Sequence, residues 1–307
     1  MRPCPVCARG RLAAPIARVK GHTLRRCGHC GFVAVAPLPS EEELAGLYAS
    51  EERVVRRALA MGGHLAEPLR RRGQIVVDLI RQRHAAAHRV AEIGCSYGFG
   101  LQVLRQAGYE VKGYELSRPA VELARRELGL DVEARPLPRP EERFDAILLR
   151  HVLEHVREPD ACLAALARNL ASAGLLVLAV PNWASLTARL WRRHWVWVDP
   201  PQHLSYFTPR TLGLLLDRLG YRVESAFTVR GDHPSYPWAA AIGLARALRA
   251  ASARSAGPSA PGGRLRPLAL AAAELVDRAL LWPLRRACEL SGRAEELWTV
   301  ARPVQPL

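Results

Sequence analysis

An α/β fold built on a doubly wound, mainly parallel sheet is what this sequence predicts, with a small metal-binding ribbon in front of it, and three observations carry that expectation. Residues 89–118 run through an apolar strand (Val90 to Ile93), a glycine-bearing turn, an amphipathic helix from Phe99 and a second strand (Glu110 to Tyr114) that ends in Glu115. A second apolar run, Phe144 to Arg150, has no polar residue in its middle, as befits a strand covered on both faces. Cys4, Cys7, Cys27 and Cys30 form two CxxC pairs within the first thirty residues.

The turn after the first strand is the candidate ligand loop, because a doubly wound sheet binds ligands in the crevice beyond the carboxyl ends of its strands. Gly94, Gly98 and Gly100 are expected to let the backbone bend and approach a ligand closely. Glu115, at the tip of the second strand, suits a carboxylate that accepts hydrogen bonds from two ribose hydroxyls. A dinucleotide fingerprint would read GxGxxG here. Instead an acid, Glu92, stands two residues before Gly94, and Ser96 occupies the place of a second glycine. Taken alone, the loop is also compatible with an ordinary strand–helix–strand unit.

Two CxxC pairs at this separation match a tetrahedral thiolate zinc site, with Gly28 and Gly31 easing the turns at the second pair. Four protein ligands leave no open position, so the zinc is expected to be structural. Cys95, Cys162 and Cys288 are isolated and read as small packed residues. No apolar run of a secretory signal follows Met1, and a cytoplasmic location is expected. The formal charge of +15 over 307 residues points to an anionic partner such as a nucleotide-activated substrate, an anionic membrane or RNA, or else reflects biased base composition.

Beyond the ribbon, Phe32 to Ser40 reads as an extended exit, and Ser40 caps a helix with Glu43 placed for a capping box. Residues 51–83 are basic and helix-prone, interrupted at Gly62, Gly63, Pro68 and Gly73, and Arg70 to Arg72 reads as a solvated face. A helix from Arg118 to Leu128 stops at Gly129, and a short strand follows near Asp131 to Ala134. Residues 135–142 read as a proline-rich loop. A helix over Pro159 to Leu170 and strands over Gly174 to Val180, Tyr221 to Val229 and Glu296 to Arg302 complete the sheet. The tract 183–208 holds Trp191, Trp195 and Trp197 beside Arg192, Arg193 and His194, a composition suited to sugar or nucleotide recognition, to a membrane interface or to a plain lid.

The acid-x-Gly loop, the acid after the second strand, the long FDxIxxxHVLEHVxxP run from Phe144 to Pro159 and the HxxxFT element at His203 to Thr208 stand in the order found in class I S-adenosylmethionine (SAM) methyltransferases. The chain closely resembles their Methyltransf_23, ubiquinone-biosynthesis-like type, with an N-terminal zinc ribbon added. The resemblance implies a Rossmann-like seven-stranded sheet whose last strand is antiparallel. It also implies SAM as cofactor, held through Glu92, Gly94, Cys95, Ser96, Gly98, Glu115, Leu116, Arg150 and His151, with Ser96 departing from the commonest loop. His151 and His203 are the candidate bases, imidazole being able to take a hydroxyl proton near neutral pH.

The expected organisation is a zinc ribbon over 1–36, a helical linker over 37–85, a SAM-binding domain over 86–230 and 294–303, and a helical insertion over 231–293. The insertion carries two arginine-bearing apolar helices suited to a cap, a homodimer interface or an anionic membrane surface, neither long enough to cross a bilayer. The expected acceptor is a small molecule, sugar, glycan or lipid-linked intermediate. An RNA methyltransferase and a noncatalytic zinc-ribbon adaptor are the alternatives. The Asn-Pro-Pro-Tyr signature of exocyclic base-amine chemistry is absent after the Phe144 strand.

Overall fold

The structure is a computed structural model that describes residues 2–44, 66–230 and 282–304. The first expected insertion helix, the Ser/Gly/Pro linker after it and most of the second helix lie outside the described residues. Among the described residues, no helix is long and apolar enough to cross a membrane.

The main sheet has seven strands: β4 (Arg89–Ile93), β5 (Glu110–Tyr114), β6 (Val132–Glu133), β7 (Phe144–Arg150), β8 (Leu170–Pro181), β10 (Tyr221–Val229) and β11 (Glu296–Pro303). Their order across the sheet is β10-β11-β8-β7-β4-β5-β6. Strands β4 to β8 pair in parallel, whereas β11 runs antiparallel to both β8 and β10. The strand order reverses beside β4, so the crevice at the carboxyl ends of β4 and β7 is the topological switch point.

Both faces of the sheet are buried. Along β7, Ala146 and Leu148 enter one core, and Ile147 and Leu149 enter the other, as alternate side chains of a strand must. The first core is closed by α1 (Ala66–Arg83), α2 (Phe99–Gln106) and α3 (Arg118–Leu128), through Val76, Ile80, Leu101, Leu104 and Val121. The second is closed by α4 (Pro159–Ala167) and α6 (Pro209–Arg218), through Leu163, Leu166, Leu212 and Leu215.

Helix α1 continues through two of the expected interruptions. Pro68 lies in its first turn, where a backbone N–H has no intrahelical partner to lose. Gly73 lies against α2, where a Cβ would come within 2.9 Å of the Gly100 carbonyl oxygen. Helix α4 stops at Ala167 rather than Leu170, because Leu170 already pairs with Phe144 at the start of β8. Ser40 caps as expected, accepting from the Glu43 N–H at 3.1 Å, but the Glu43 carboxylate turns to His22 at 2.9 Å and does not close the box.

The ribbon consists of β1 (Leu12–Val19), β2 (His22–Cys27) and β3 (Val33–Val35). Lys20 and Gly21 close the first hairpin with positive φ at both positions, the turn that matches strand twist. A fourth strand, β9 (Ser205–Tyr206), pairs with β3 and comes from the HxxxFT element. The extended exit of the ribbon is thus a strand of a sheet shared with the segment after β8. Phe32 packs on Phe207 at 5.2 Å between ring centres, and Cys4, Val6, Cys27 and Cys30 join the same core as Ile147 and Leu212. Arg218 of α6 donates through Nε to the Val6 carbonyl at 2.9 Å and reaches Asp160 at 3.2 Å.

Candidate functional site

The loop between β4 and α2 is set by its backbone. Gly94, Ser96 and Gly98 all have positive φ, and Ser96, at 51°, bears a side chain in a conformation that favours glycine. This bend aims the Ser96 N–H at Glu115, whose Oε2 accepts from Ser96 N at 2.9 Å while Oε1 accepts from Ser117 N at 2.9 Å. Both carboxylate oxygens are fixed in place, and each retains a lone pair for a further donor. Leu116, beside it, is largely exposed.

The glycines make room for this protein's own side chains. A Cβ at Gly94 would strike Val152, one at Gly98 would lie 2.5 Å from Leu130, and one at Gly100 would overlap the Arg150 guanidinium. The close approach expected of a ligand is here made from within the fold. Arg150, at the end of β7, donates to Glu92 Oε1 through Nε at 2.8 Å and through Nη2. Burial raises the Glu92 carboxyl and Arg150 opposes that rise. The other oxygen, Glu92 Oε2, is buried without a hydrogen-bond partner among the described residues, which leaves an acceptor for a cationic group. Cys95 is buried with its sulfur packed beneath the loop against Gly113.

Next to this loop, His151 sits with a φ of 54° at the carboxyl end of β7. Its Nδ1 faces Glu154 Oε1 at 3.2 Å and its Nε2 faces Glu296 Oε1 at 2.5 Å, while Arg72 Nε donates to that same Glu296 oxygen at 3.0 Å. Burial and Arg72 push the imidazole's pKa down, but Glu296 and Glu154 outweigh them and lift it to about 9. The two carboxylates thus favour the protonated imidazole, against the Arg72 guanidinium, whose Nη2 stands 3.0 Å from Nε2. Arg72, read from the sequence as part of a solvated face, is instead buried, because the phase of α1 turns it inward to Glu296.

Aromatic rings continue from His151. Trp197 stacks on His151 at 5.1 Å and on His203 at 5.7 Å, and His155 meets His203 edge to face at 4.8 Å. The Nδ1 of His203 faces the Trp197 carbonyl at 2.7 Å and that of His155 faces the Gln202 carbonyl at 3.0 Å. Each Nδ1 must donate there, so in the neutral tautomer that this geometry selects the lone pair lies on Nε2. Burial pushes the His203 imidazole down to about 4. One ring nitrogen of each histidine and a Glu154 oxygen lie within 4.8 Å of one another.

The four ribbon cysteines converge in the same way, all sulfurs within 4.8 Å, with Cys4 to Cys30 at 3.6 Å and Cys7 to Cys27 at 3.8 Å. Thiolates about 2.3 Å from a tetrahedral zinc stand about 3.8 Å apart, so the cluster fits that ion. The residue after each pair takes positive φ: Gly31 at 81° and, where no glycine stands, Ala8 at 53°.

A family model described as "Methyltransferase domain" matches residues 58–226, more than half of the 307-residue chain. The chain belongs to this methyltransferase-domain family. The ubiquinone biosynthesis O-methyltransferase of Alkalilimnicola ehrlichii is 29% identical over 103 residues, which are 31% of this chain and 42% of that protein. Methyltransferase GfsG of Streptomyces halstedii is 30% identical over 126 residues, 37% of this chain and 45% of that protein. The chain thus spans less than half the length of these two curated relatives. Among solved structures, the 1,6-didemethyltoxoflavin-N1-methyltransferase of Burkholderia thailandensis aligns over 95% of this chain and 100% of its own, with 15% identity and a TM-score of 0.49.

In this methyltransferase-domain chain, the residues singled out from the sequence collect at the carboxyl ends of β4, β5 and β7, except the four cysteines and His203. His203 arrives from the segment after β8 and meets the group through Trp197. Sequence reasoning missed Arg72 and Glu296 as site residues. A signal was present at Glu296, an acid at the head of the apolar run Leu297 to Ala301, where burial demands a cationic partner.

Proposed function

We propose that this chain is a SAM-dependent methyltransferase acting on a small-molecule, sugar, glycan or lipid-linked acceptor, and that its cysteine ribbon holds a structural zinc ion. Glu115 carries the reading: at the tip of the strand beside β4, its carboxylate is fixed by two backbone N–H groups, with lone pairs left to accept from ribose hydroxyls. The unpartnered Glu92 Oε2 supports it, since an amino acid ammonium is the donor that atom lacks.

SAM, when bound, supplies an electrophilic methyl group on a sulfonium. The protein's part is alignment of acceptor and cofactor, with a proton acceptor where the nucleophile carries a proton. Of the two candidate bases, His203 has the protonation state the task needs, because its Nδ1–H is committed to the Trp197 carbonyl and its Nε2 lone pair is free. His151 keeps its proton between Glu154 and Glu296 and positions Trp197 by stacking. The ribbon over 1–36 is assigned to stability, the linker over 37–85 to connection, and the insertion over 231–293 to a cap, an interface or a membrane-facing surface.

The test is calorimetric titration of S-adenosylhomocysteine into the zinc-loaded chain, with Glu115→Ala and His203→Ala alongside. Loss of two charge-assisted hydrogen bonds in Glu115→Ala should weaken binding by at least about tenfold, while His203→Ala binds as the parent does. A folded parent that binds no S-adenosylhomocysteine overturns the proposal.

A further inference from the structure

A second concave surface opens beside the site and takes no part in the chemistry described above. It is a groove of roughly 1100 Å³ between the ribbon hairpin, the segment from Trp183 through α5 (Leu186–Trp191) to His194, and the residues just before β11. Five arginines line it: Arg26 from β2, Arg189, Arg192 and Arg193 from the middle segment, and Arg293 from the third. No carboxylate stands among its described lining residues. Among the described residues, Arg26, Arg189, Arg192 and Arg293 have no acidic partner either, unlike Arg72, Arg150 or Arg218. Guanidinium groups gathered from three separate segments and left without counter-charge create a strong local positive potential. They also offer planar donor forks that match phosphate oxygens in pairs.

Two indoles give the groove its other character. Trp183 and Trp191 line it, half-buried, beside the exposed Leu190. A ligand complementary to this surface is anionic at one part and flat or apolar at another. It is also larger than a lone phosphate, since the groove exceeds the common range of about 300 to 1,000 Å³ for small-molecule sites. Position completes the argument. Trp183 follows the carboxyl end of β8 by two residues, on the same edge of the sheet as Arg150 and His151. Its ring packs on Tyr206 at 5.2 Å, and the Tyr206 hydroxyl donates to the His203 carbonyl at 3.1 Å.

We infer that this groove is the anchoring site for a diphosphate ester carried by the acceptor, held by Arg189, Arg192 and Arg293 against Trp183 and Trp191. The inference rests on the methyl-transfer reading for its purpose: with the diphosphate end anchored in the groove, the opposite end of the acceptor is directed past Trp183 toward the carboxyl ends of β7 and β8. Nucleotide-linked and isoprenoid-linked acceptors share this chemistry.

The zinc-loaded full chain is titrated with uridine diphosphate, farnesyl diphosphate and inorganic pyrophosphate, with and without S-adenosylhomocysteine. The double variant Arg189→Gln, Arg293→Gln is measured beside it, and Arg126→Gln, a largely exposed arginine of α3 outside the groove, serves as control. At least one of the two esters should bind, pyrophosphate should compete with it, and the double variant should weaken it by about tenfold or more through loss of charge-assisted hydrogen bonds. The control and the affinity for S-adenosylhomocysteine should not change. Tighter binding of the uridine compound assigns a nucleotide-linked acceptor, and tighter binding of the farnesyl compound an isoprenoid-linked one. Absence of ester binding, or binding that survives in the double variant, overturns the inference. So does a short RNA that outcompetes both esters at the same arginines with a steep loss of affinity in salt. S-adenosylhomocysteine binding without ester binding defeats this inference alone, whereas ester binding without S-adenosylhomocysteine binding defeats the methyl-transfer reading and leaves the anion site standing.

Discussion

Glu296 shows how one side chain can hold a site together without appearing in any motif. It is 1% exposed and accepts from Arg72 and His151 at once, so it pairs with two cations, contributed by α1 and by the turn after β7, while Glu154 supplies the second negative charge. Removing one member of a buried ion group leaves the others charged and unpaired, which costs about 3 to 5 kcal/mol. Glu296→Ala is therefore expected to lower unfolding stability by about 3 kcal/mol, measured by urea denaturation. The double variant Glu296→Ala, Arg72→Met should recover part of that loss, because it removes the stranded guanidinium as well. A Glu296→Ala chain as stable as the parent would show that the three charges are not coupled. The placement of Glu115 was legible in the sequence because its partners, Ser96 and Ser117, lie within one strand–loop–helix–strand unit. Arg72 was not, because its burial depends on a carboxylate 224 residues further along the chain.

Helix α1 makes the same point at the scale of an element. Its sequence looks broken at Pro68 and Gly73, yet the helix is continuous and Gly73 packs directly against α2. Helix propensity alone favours Gly73→Ala by about 1 kcal/mol. Against that gain stands a Cβ that would come within 2.9 Å of the Gly100 carbonyl oxygen and 3.0 Å of the Val103 Cβ, where backbone rather than a flexible side chain must yield. The contact wins. Gly73→Ala is expected to lower the thermal midpoint by a few degrees and, because Gly100 follows the ligand loop directly, to weaken S-adenosylhomocysteine binding as well. A stabilised variant in thermal unfolding would mean that α1 and α2 are free to separate. The strands of the main sheet were far more legible. Phe144 to Arg150 and Tyr221 to Val229 stand where the sequence placed them, since burial on both faces or regular alternation leaves a pattern within a few residues. Strand β9 has two residues and no pattern of its own, and its pairing with β3 was invisible for that reason.

That short pairing decides how the whole molecule responds to loss of metal. A ribbon tethered as a separate unit would melt alone when its zinc is removed and leave the seven-stranded sheet unchanged. Here Cys4, Cys27 and Cys30 are buried in the core that includes Ile147, Phe207 and Leu212, and Arg218 ties α6 to the first cysteine knuckle. Metal binding free energy is folding free energy when the ligands belong to a shared core. Chelation, or Cys27→Ser, should therefore lower a single cooperative transition of the entire chain by roughly 5 to 10 °C, observed by calorimetry, rather than split off an early one. S-adenosylhomocysteine affinity should fall with it, since the ribbon cysteines share a core with Ile93, Tyr114 and Leu149 at the ends of β4, β5 and β7. Metal analysis should give one zinc per chain, lost in Cys27→Ser and retained in His203→Ala, with the second donor cluster at Glu154, His155 and His203 left to proton handling. Two resolved transitions in the metal-free chain, with the later one unmoved, would show that the ribbon and the methyltransferase domain fold independently despite their common core.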